Sequence, residues 1–220
     1  MKKIQFSVAA LALALLVGGI STNAAAKESF KEIKLLAPQM SGGMPLMEAL
    51  NKRSSKRSFS SKELSPQTLS NILWAAFGVN RKDSGCRTAP SAHNWREIDI
   101  YVLLKSGAYI YDAERNLLKP HIQKDLRAAA GKQGFVKDAP VVLAYVSNHS
   151  RIEGAPPDAK IFYSATDTGF ISQNVYLYCA SAGLSTVVLG YVDKPALKKL
   201  LNLAKDQEII LTQPVGHPQK

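Results

Sequence analysis

The chain has 220 residues, with 28 Lys and Arg against 17 Asp and Glu and a formal charge of +11. A 46% hydrophobic, 20% charged composition is globular and excludes global disorder. Two cysteines exclude a disulfide scaffold, and beside only four histidines they leave little for a structural zinc cluster.

The first 26 residues read as a secretory signal. Lys2 and Lys3 form a positive start, an apolar run covers 8–20, and Ala24-Ala25-Ala26 supplies small residues for cleavage. The run is shorter than the roughly 20 apolar residues that a membrane span needs. A secreted or periplasmic location is therefore expected, with no membrane span after cleavage, and losing Lys2 and Lys3 lowers the charge from +11 to +9. Residues 27–43 form a mixed lead-in with a short strand expected at 33–36, and 44–220 form one domain.

Leu46, Met47 and Leu50 suit a short helix from Met44 toward Arg53. Ser65-Pro66 is a helix start, and Leu69, Ile72, Leu73, Ala76 and Phe77 follow at helical spacing until Gly78. A loop holding Cys86 precedes a strand at 98–104, and 108–111 with 117–118 read as a hairpin. A short helix is expected at 122–130 and a strand buried on both faces at 141–146. The longest helix is expected at 159–182, apolar on more than one face and suited to an interface. A strand at 186–192, a helix at 195–203 and a last strand at 208–212 complete the series, with Pro214 to Pro218 as a terminal turn. Irregular interleaving with a clear hairpin favours α+β over a doubly wound parallel sheet.

Four local features stand out, the last of them a turn with no chemistry of its own. Lys52-Arg53-Ser54-Ser55-Lys56-Arg57-Ser58-Phe59, with Lys62, interleaves five cations with serines. Guanidinium forks and hydroxyls are what a phosphate monoester requires, although such a string alone is more often a solvated loop. The Pro90-Ser91-Ala92-His93-Asn94 loop lets backbone approach a flat ligand. His93 has no nucleophile or carboxylate beside it in sequence. Val188-Leu189-Gly190 places glycine in a strand, often a mark of close approach. The closing Pro214-Val215-Gly216-His217-Pro218 is the fourth. There is no complete phosphate loop, no dinucleotide fingerprint and no G-x-S-x-G, and the aspartates, Asp167 among them, show no carboxylate pairing.

In this order the features resemble the nitroreductase superfamily of flavin mononucleotide (FMN) enzymes. The R-x-S-x-R-x-F segment is Arg53, Ser55, Arg57 and Phe59, and the P-S-x-x-N loop is Pro90, Ser91 and Asn94. A helix with D-x-G-x-x-x-Q-N is Asp167, Gly169, Gln173 and Asn174, running to Ala182-Gly183-Leu184. Arg87 to Ala92 and Gly107 to Asp112 are similar to the thiazole/oxazole dehydrogenase-like branch, although the Lys-Tyr pair of azoline oxidases is absent.

The resemblance implies a mostly antiparallel sheet flanked by helices in an intertwined homodimer. It implies an FMN-dependent oxidoreductase passing hydride from flavin N5 to a small acceptor such as a nitro compound or quinone. The implied cofactor ligands are Arg53, Ser54, Ser55, Arg57, Pro90, Ser91, Asn94, Val188, Leu189 and Gly190, and the flavin, rather than a protein acid or base, carries the chemistry. Alternatives are a flavin-binding or flavin-storing protein without turnover, and a polyanion-binding basic domain. No nucleic-acid motif accompanies the basic segment, so no nucleic-acid partner is expected.

Overall fold

The computed structural model describes Met1 and residues 30–219. The export signal expected at 1–26 lies outside the described residues, Met1 apart. Nine strands and four α-helices are described: β1 (Ile33–Lys34), α1 (Leu46–Lys52), α2 (Pro66–Phe77), β2 (Val79–Arg81), β3 (Cys86–Arg87), β4 (Ile98–Leu104), β5 (Gly107–Asp112), β6 (Leu117–Ile122), β7 (Val141–Asn148), α3 (Pro157–Ser181), β8 (Ser185–Thr186), α4 (Lys194–Leu200) and β9 (Gln207–Gly216).

Seven strands form one sheet in the order β1-β6-β5-β4-β7-β9-β8, with every pairing antiparallel, and the fold is α+β as expected. Its centre is the apolar run of β7, whose alternating side chains feed two cores. Val141, Leu143 and Tyr145 face α2 and α3 with Ile72, Leu73, Ile171 and Val175. Val142, Ala144 and Val146 face the other side with Leu126, Val136, Leu197 and Leu201. Leu143 is fully buried, so Leu143→Ala should cost about 2–5 kcal/mol of stability. Denaturant unfolding at constant m would measure it, and a loss under about 1 kcal/mol would mean that this strand is not the centre of the core.

α2 begins as its sequence dictates. Ser65 Oγ accepts from Thr68 N–H at 3.1 Å, and Pro66 occupies the first turn. α3 ends at Gly183, which takes the left-handed conformation (φ +67°) while Leu184 N–H donates back to the Cys179 carbonyl at 2.8 Å.

Several expectations are corrected. The stretch 122–130 is no α-helix: Ile122 closes β6 opposite Ala108, and only Arg127–Ala130 turns, as a single 3-10 turn. The strand expected at 186–192 shrinks to Ser185–Thr186 plus a lone bridge from Leu189 to Thr212. The terminal turn at 214 is instead the end of β9, where Pro214 sits opposite Val142. The loop with Cys86 contains a small antiparallel ribbon, β2 with β3. Cys86 and Cys179 are separate free thiols.

α3 is apolar on more than one face as expected, with Ile171, Val175 and Cys179 in the core, but it also buries polar side chains. Its buried residues include Ser164, Asp167, Thr168 and Ser172, while Phe162 and Phe170 are exposed. Ser164 is satisfied by Ser147 of β7 at 2.7 Å, which lets a polar side chain enter the core.

Candidate functional site

The basic segment leaves α1 and runs extended between two backbone tethers. Lys56 N–H donates to the Thr186 carbonyl of β8 at 3.0 Å, and Ser60 N–H donates to the His217 carbonyl at 2.9 Å. Phe59 is buried beside them. This anchorage leaves Ser54, Ser55, Lys56 and Arg57 exposed and Arg53 half-buried. Among the described residues, Arg53, Lys56 and Arg57 have no carboxylate partner, whereas Lys52 bonds Glu48 at 2.6 Å.

Tyr176 of α3 organises this cluster, and nothing in the sequence pointed to it. Its hydroxyl accepts from Val188 N–H at 2.8 Å and shares a 2.9 Å hydrogen bond with Ser55 Oγ. The Arg53 guanidinium lies over its ring, 5.2 Å from the centroid, a cation–π contact. One phenol thus gathers Arg53, Ser55 and Val188, three of the expected ligands. A lone tyrosine inside a helix carries no signal of that role.

A cavity of about 390 Å³ opens here, lined by Met44, Ser54, Lys56, Tyr176, Gly183 and Thr186 among others, and no carboxylate lines it. Cys179 touches the same wall, but burial pushes its thiol far up, so it is no thiolate nucleophile at neutral pH. Leu189 is buried and fixed to Thr212 by bonds of 2.8 and 3.0 Å, and Gly190 is exposed. A Cβ on Gly190 would meet only Leu211 Cδ2 at 3.8 Å, so no protein neighbour demands a glycine there.

The second group of expected ligands lies elsewhere along α3. In the Pro90 loop, Ala92 N–H donates to Asp167 Oδ2 at 2.9 Å, and Ser91 Oγ donates to Glu97 Oε2 at 3.1 Å. Ser91 Oγ also accepts from Arg96 N–H at 2.9 Å. His93, Asn94 and Arg96 all have positive φ, between 48° and 57°, a conformation that costs on the order of 1 kcal/mol or more for most side chains. Trp95 packs on His93 and on Tyr163, with centroids 4.6 and 5.5 Å apart. Pro90, His93 and Asn94 face solvent.

Glu97 is fully buried and Asp167 nearly so. Burial, with the Asp167 carboxyl beside it, pushes Glu97 up to about 7, against hydrogen bonds from its own amide and from Ser91. The absence of any carboxylate pair, expected from sequence, is therefore corrected.

Asp167 and Tyr176 are nine residues apart on one helix, about 13 Å along its axis. One chain thus presents the cation cluster and the Pro90 loop as two separated half-sites. Among the described residues no three His, Cys, Asp or Glu side chains converge as a metal site, and no helix is long and apolar enough to cross a membrane.

Residues 50–217 match the model of the Nitroreductase family. A candidate nitroreductase of Methanocaldococcus jannaschii is 34% identical over 181 residues, spanning 78% of this chain and 90% of that one. The crystal structure of a candidate nitroreductase from Ralstonia eutropha superimposes with a TM-score of 0.83 at 42% identity, over 86% of this chain and 90% of its own. A more distant likeness, in fold alone, is the NADPH:FMN oxidoreductase from Vibrio harveyi solved with NAD+. Its TM-score is 0.59 at 21% identity, over 80% of this chain and 69% of that one.

Proposed function

Because this chain belongs to the nitroreductase family, whose members are oxidoreductases, we propose that it is an FMN-dependent oxidoreductase delivering two electrons to a small acceptor such as a nitro compound or quinone. The observation that carries the reading is the cluster of cations without acidic partners and serine hydroxyls beside a cavity of about 390 Å³ with no carboxylate in its wall. A phosphate monoester bears nearly two negative charges and several acceptor oxygens. Charge plus directed donors is what Arg53, Ser54, Ser55 and Arg57 offer it, so these residues fit the group.

Bound FMN would supply hydride chemistry at its N5. The chain's own contribution is positional. Tyr176 holds Ser55 and the Val188 amide in one place, and the tethers at Lys56 and Ser60 fix the segment whose Lys52, Ser54 and Lys56 line the cavity, with Arg53 and Arg57 next to them in the chain. The backbone from Val188 to Gly190 and the loop carrying Pro90, Ser91 and Asn94 would flank the ring system and exclude water from it. Since one chain separates these half-sites, we assign the second half to a partner copy in a homodimer, joined over the exposed apolar face of α3. The signal read at 1–26 supports a location outside the cytoplasm, where the electron donor would differ from a cytosolic nicotinamide pool.

The test is single-turnover transfer. Protein loaded with FMN and reduced without oxygen should return to the oxidised spectrum stoichiometrically when mixed with a quinone or a nitroaromatic. Protein that binds FMN yet stays reduced against both would be a flavin carrier instead.

A further inference from the structure

Glu97 and Asp167 carry a feature that the flavin chemistry does not use. Glu97 Oε2 is occupied by Ser91 Oγ–H at 3.1 Å, but its other oxygen, Oε1, is buried and has no donor in reach. The Asp167 carboxyl lies within hydrogen-bonding reach of the Glu97 carboxyl and itself accepts from Ala92 N–H at 2.9 Å. Two carboxyl groups can satisfy one another in a dry site only if a proton lies between them. The pair reaches the Pro90 loop at two adjacent residues, Ser91 and Ala92, just before the left-handed positions His93, Asn94 and Arg96. A strained loop persists only where its surroundings over-determine it.

We propose that Glu97 and Asp167 share one proton and act together as a positioning clamp that holds the Pro90–Asn94 loop in its ligand-facing shape. Losing that proton leaves two buried like charges side by side, and the clamp opens. The value of the clamp to the reaction rests on the reading given above, in which this loop flanks the flavin, but the clamp itself is a property of the chain. Because folding raises Glu97 from its ordinary 4.5 to about 7, the closed loop is fully held below the lower value and is progressively lost as pH rises through the upper one.

The charged and titratable groups around the pair come from three elements. α3 brings Asp167 itself, and the turn after β7 brings His149, whose Nε2 lies 3.4 Å from Ser164 Oγ, and Arg151, which donates to the Arg96 carbonyl at 2.9 Å. The loop adds His93 and Arg96, the latter 3.9 Å from Glu114. His149, in hydrogen-bonding reach of Ser164, is the neighbour whose replacement serves as the control.

Hydrogen exchange of the full chain, followed by mass spectrometry on the peptide covering residues 90–97, reads the clamp without any flavin signal. After correction for intrinsic exchange, wild-type protection should fall by up to about tenfold per pH unit between pH 4.5 and about 7 and level off above that. Glu97→Gln stays neutral and should hold the loop at every pH. Asp167→Asn can both accept from Ala92 and donate to ionised Glu97, so its profile should also be flat. His149→Gln should keep the wild-type fall. A fall that persists in Glu97→Gln, one that disappears in His149→Gln, or a flat wild-type profile would overturn the clamp. A wild-type fall in a protein that never retains FMN would leave the clamp standing and remove only the flavin reading.

Discussion

Replacing Arg53 and Arg57 together with alanine is expected to weaken FMN binding by roughly 10²- to 10⁴-fold, since each charge-assisted bond to phosphate contributes about 1.5–3 kcal/mol. The loss should fall on FMN and spare the fold. Arg57 is exposed and Arg53 half-buried, with no carboxylate partner among the described residues for either. The thermal midpoint should therefore move by no more than about 2–4 °C. Lys62→Ala provides the comparison, because that ammonium is exposed and outside the wall of the cavity beside Tyr176, and should change affinity by no more than about twofold. Fluorescence titration of FMN measures both variants beside the wild type. Equal losses in Lys62→Ala and in the double variant would mean that general positive charge, and not a built phosphate clamp, attracts the ligand.

Phe162→Asp combined with Phe170→Asp is expected to convert a dimer into monomers. These rings are 63% and 44% exposed on α3, eight residues apart and so about 80° apart around the helix. Burying a phenylalanine contributes about 1.5–3 kcal/mol. A two-fold interface uses each ring twice and buries only about half of each, the part still exposed, so the double change should remove roughly 3–6 kcal/mol and raise the dimer dissociation constant by more than about 100-fold. Light scattering should find twice the chain mass for the wild type and the single mass for the variant. FMN retention should fall with it, because the Pro90 loop would no longer complete the partner's half-site. A wild type that is monomeric while binding FMN tightly would contradict this assembly.

The fold was legible in the sequence where local physics suffices. Ser65-Pro66 names a helix start by capping chemistry alone, and the unbroken apolar run at 141–146 announced the central strand. It was hidden where tertiary pairing decides. Ile122 has helical neighbours in sequence but is taken by Ala108 across the hairpin. Pro214, ordinarily a poor strand residue, is tolerated at the end of β9 next to the two-residue strand β8. The candidate site divides in the same way. The cation cluster and the Pro90 loop were legible as contiguous strings. Tyr176, which ties Arg53, Ser55 and Val188 together, and Glu97, which meets Asp167 across 70 residues, were not, because nothing local marks a side chain whose partners arrive from other elements.

On the proposed reading, part of the chain's excess positive charge serves to present Arg53, Lys56 and Arg57 together to a single dianion. Comparing FMN with riboflavin, its unphosphorylated counterpart, isolates that role in one binding experiment. The full chain should retain FMN through gel filtration and bind it at least about 100-fold more tightly than riboflavin, the difference being the phosphate contacts. Equal affinity for the two flavins, or no retention of FMN at all, would contradict a phosphate-holding role for these cations.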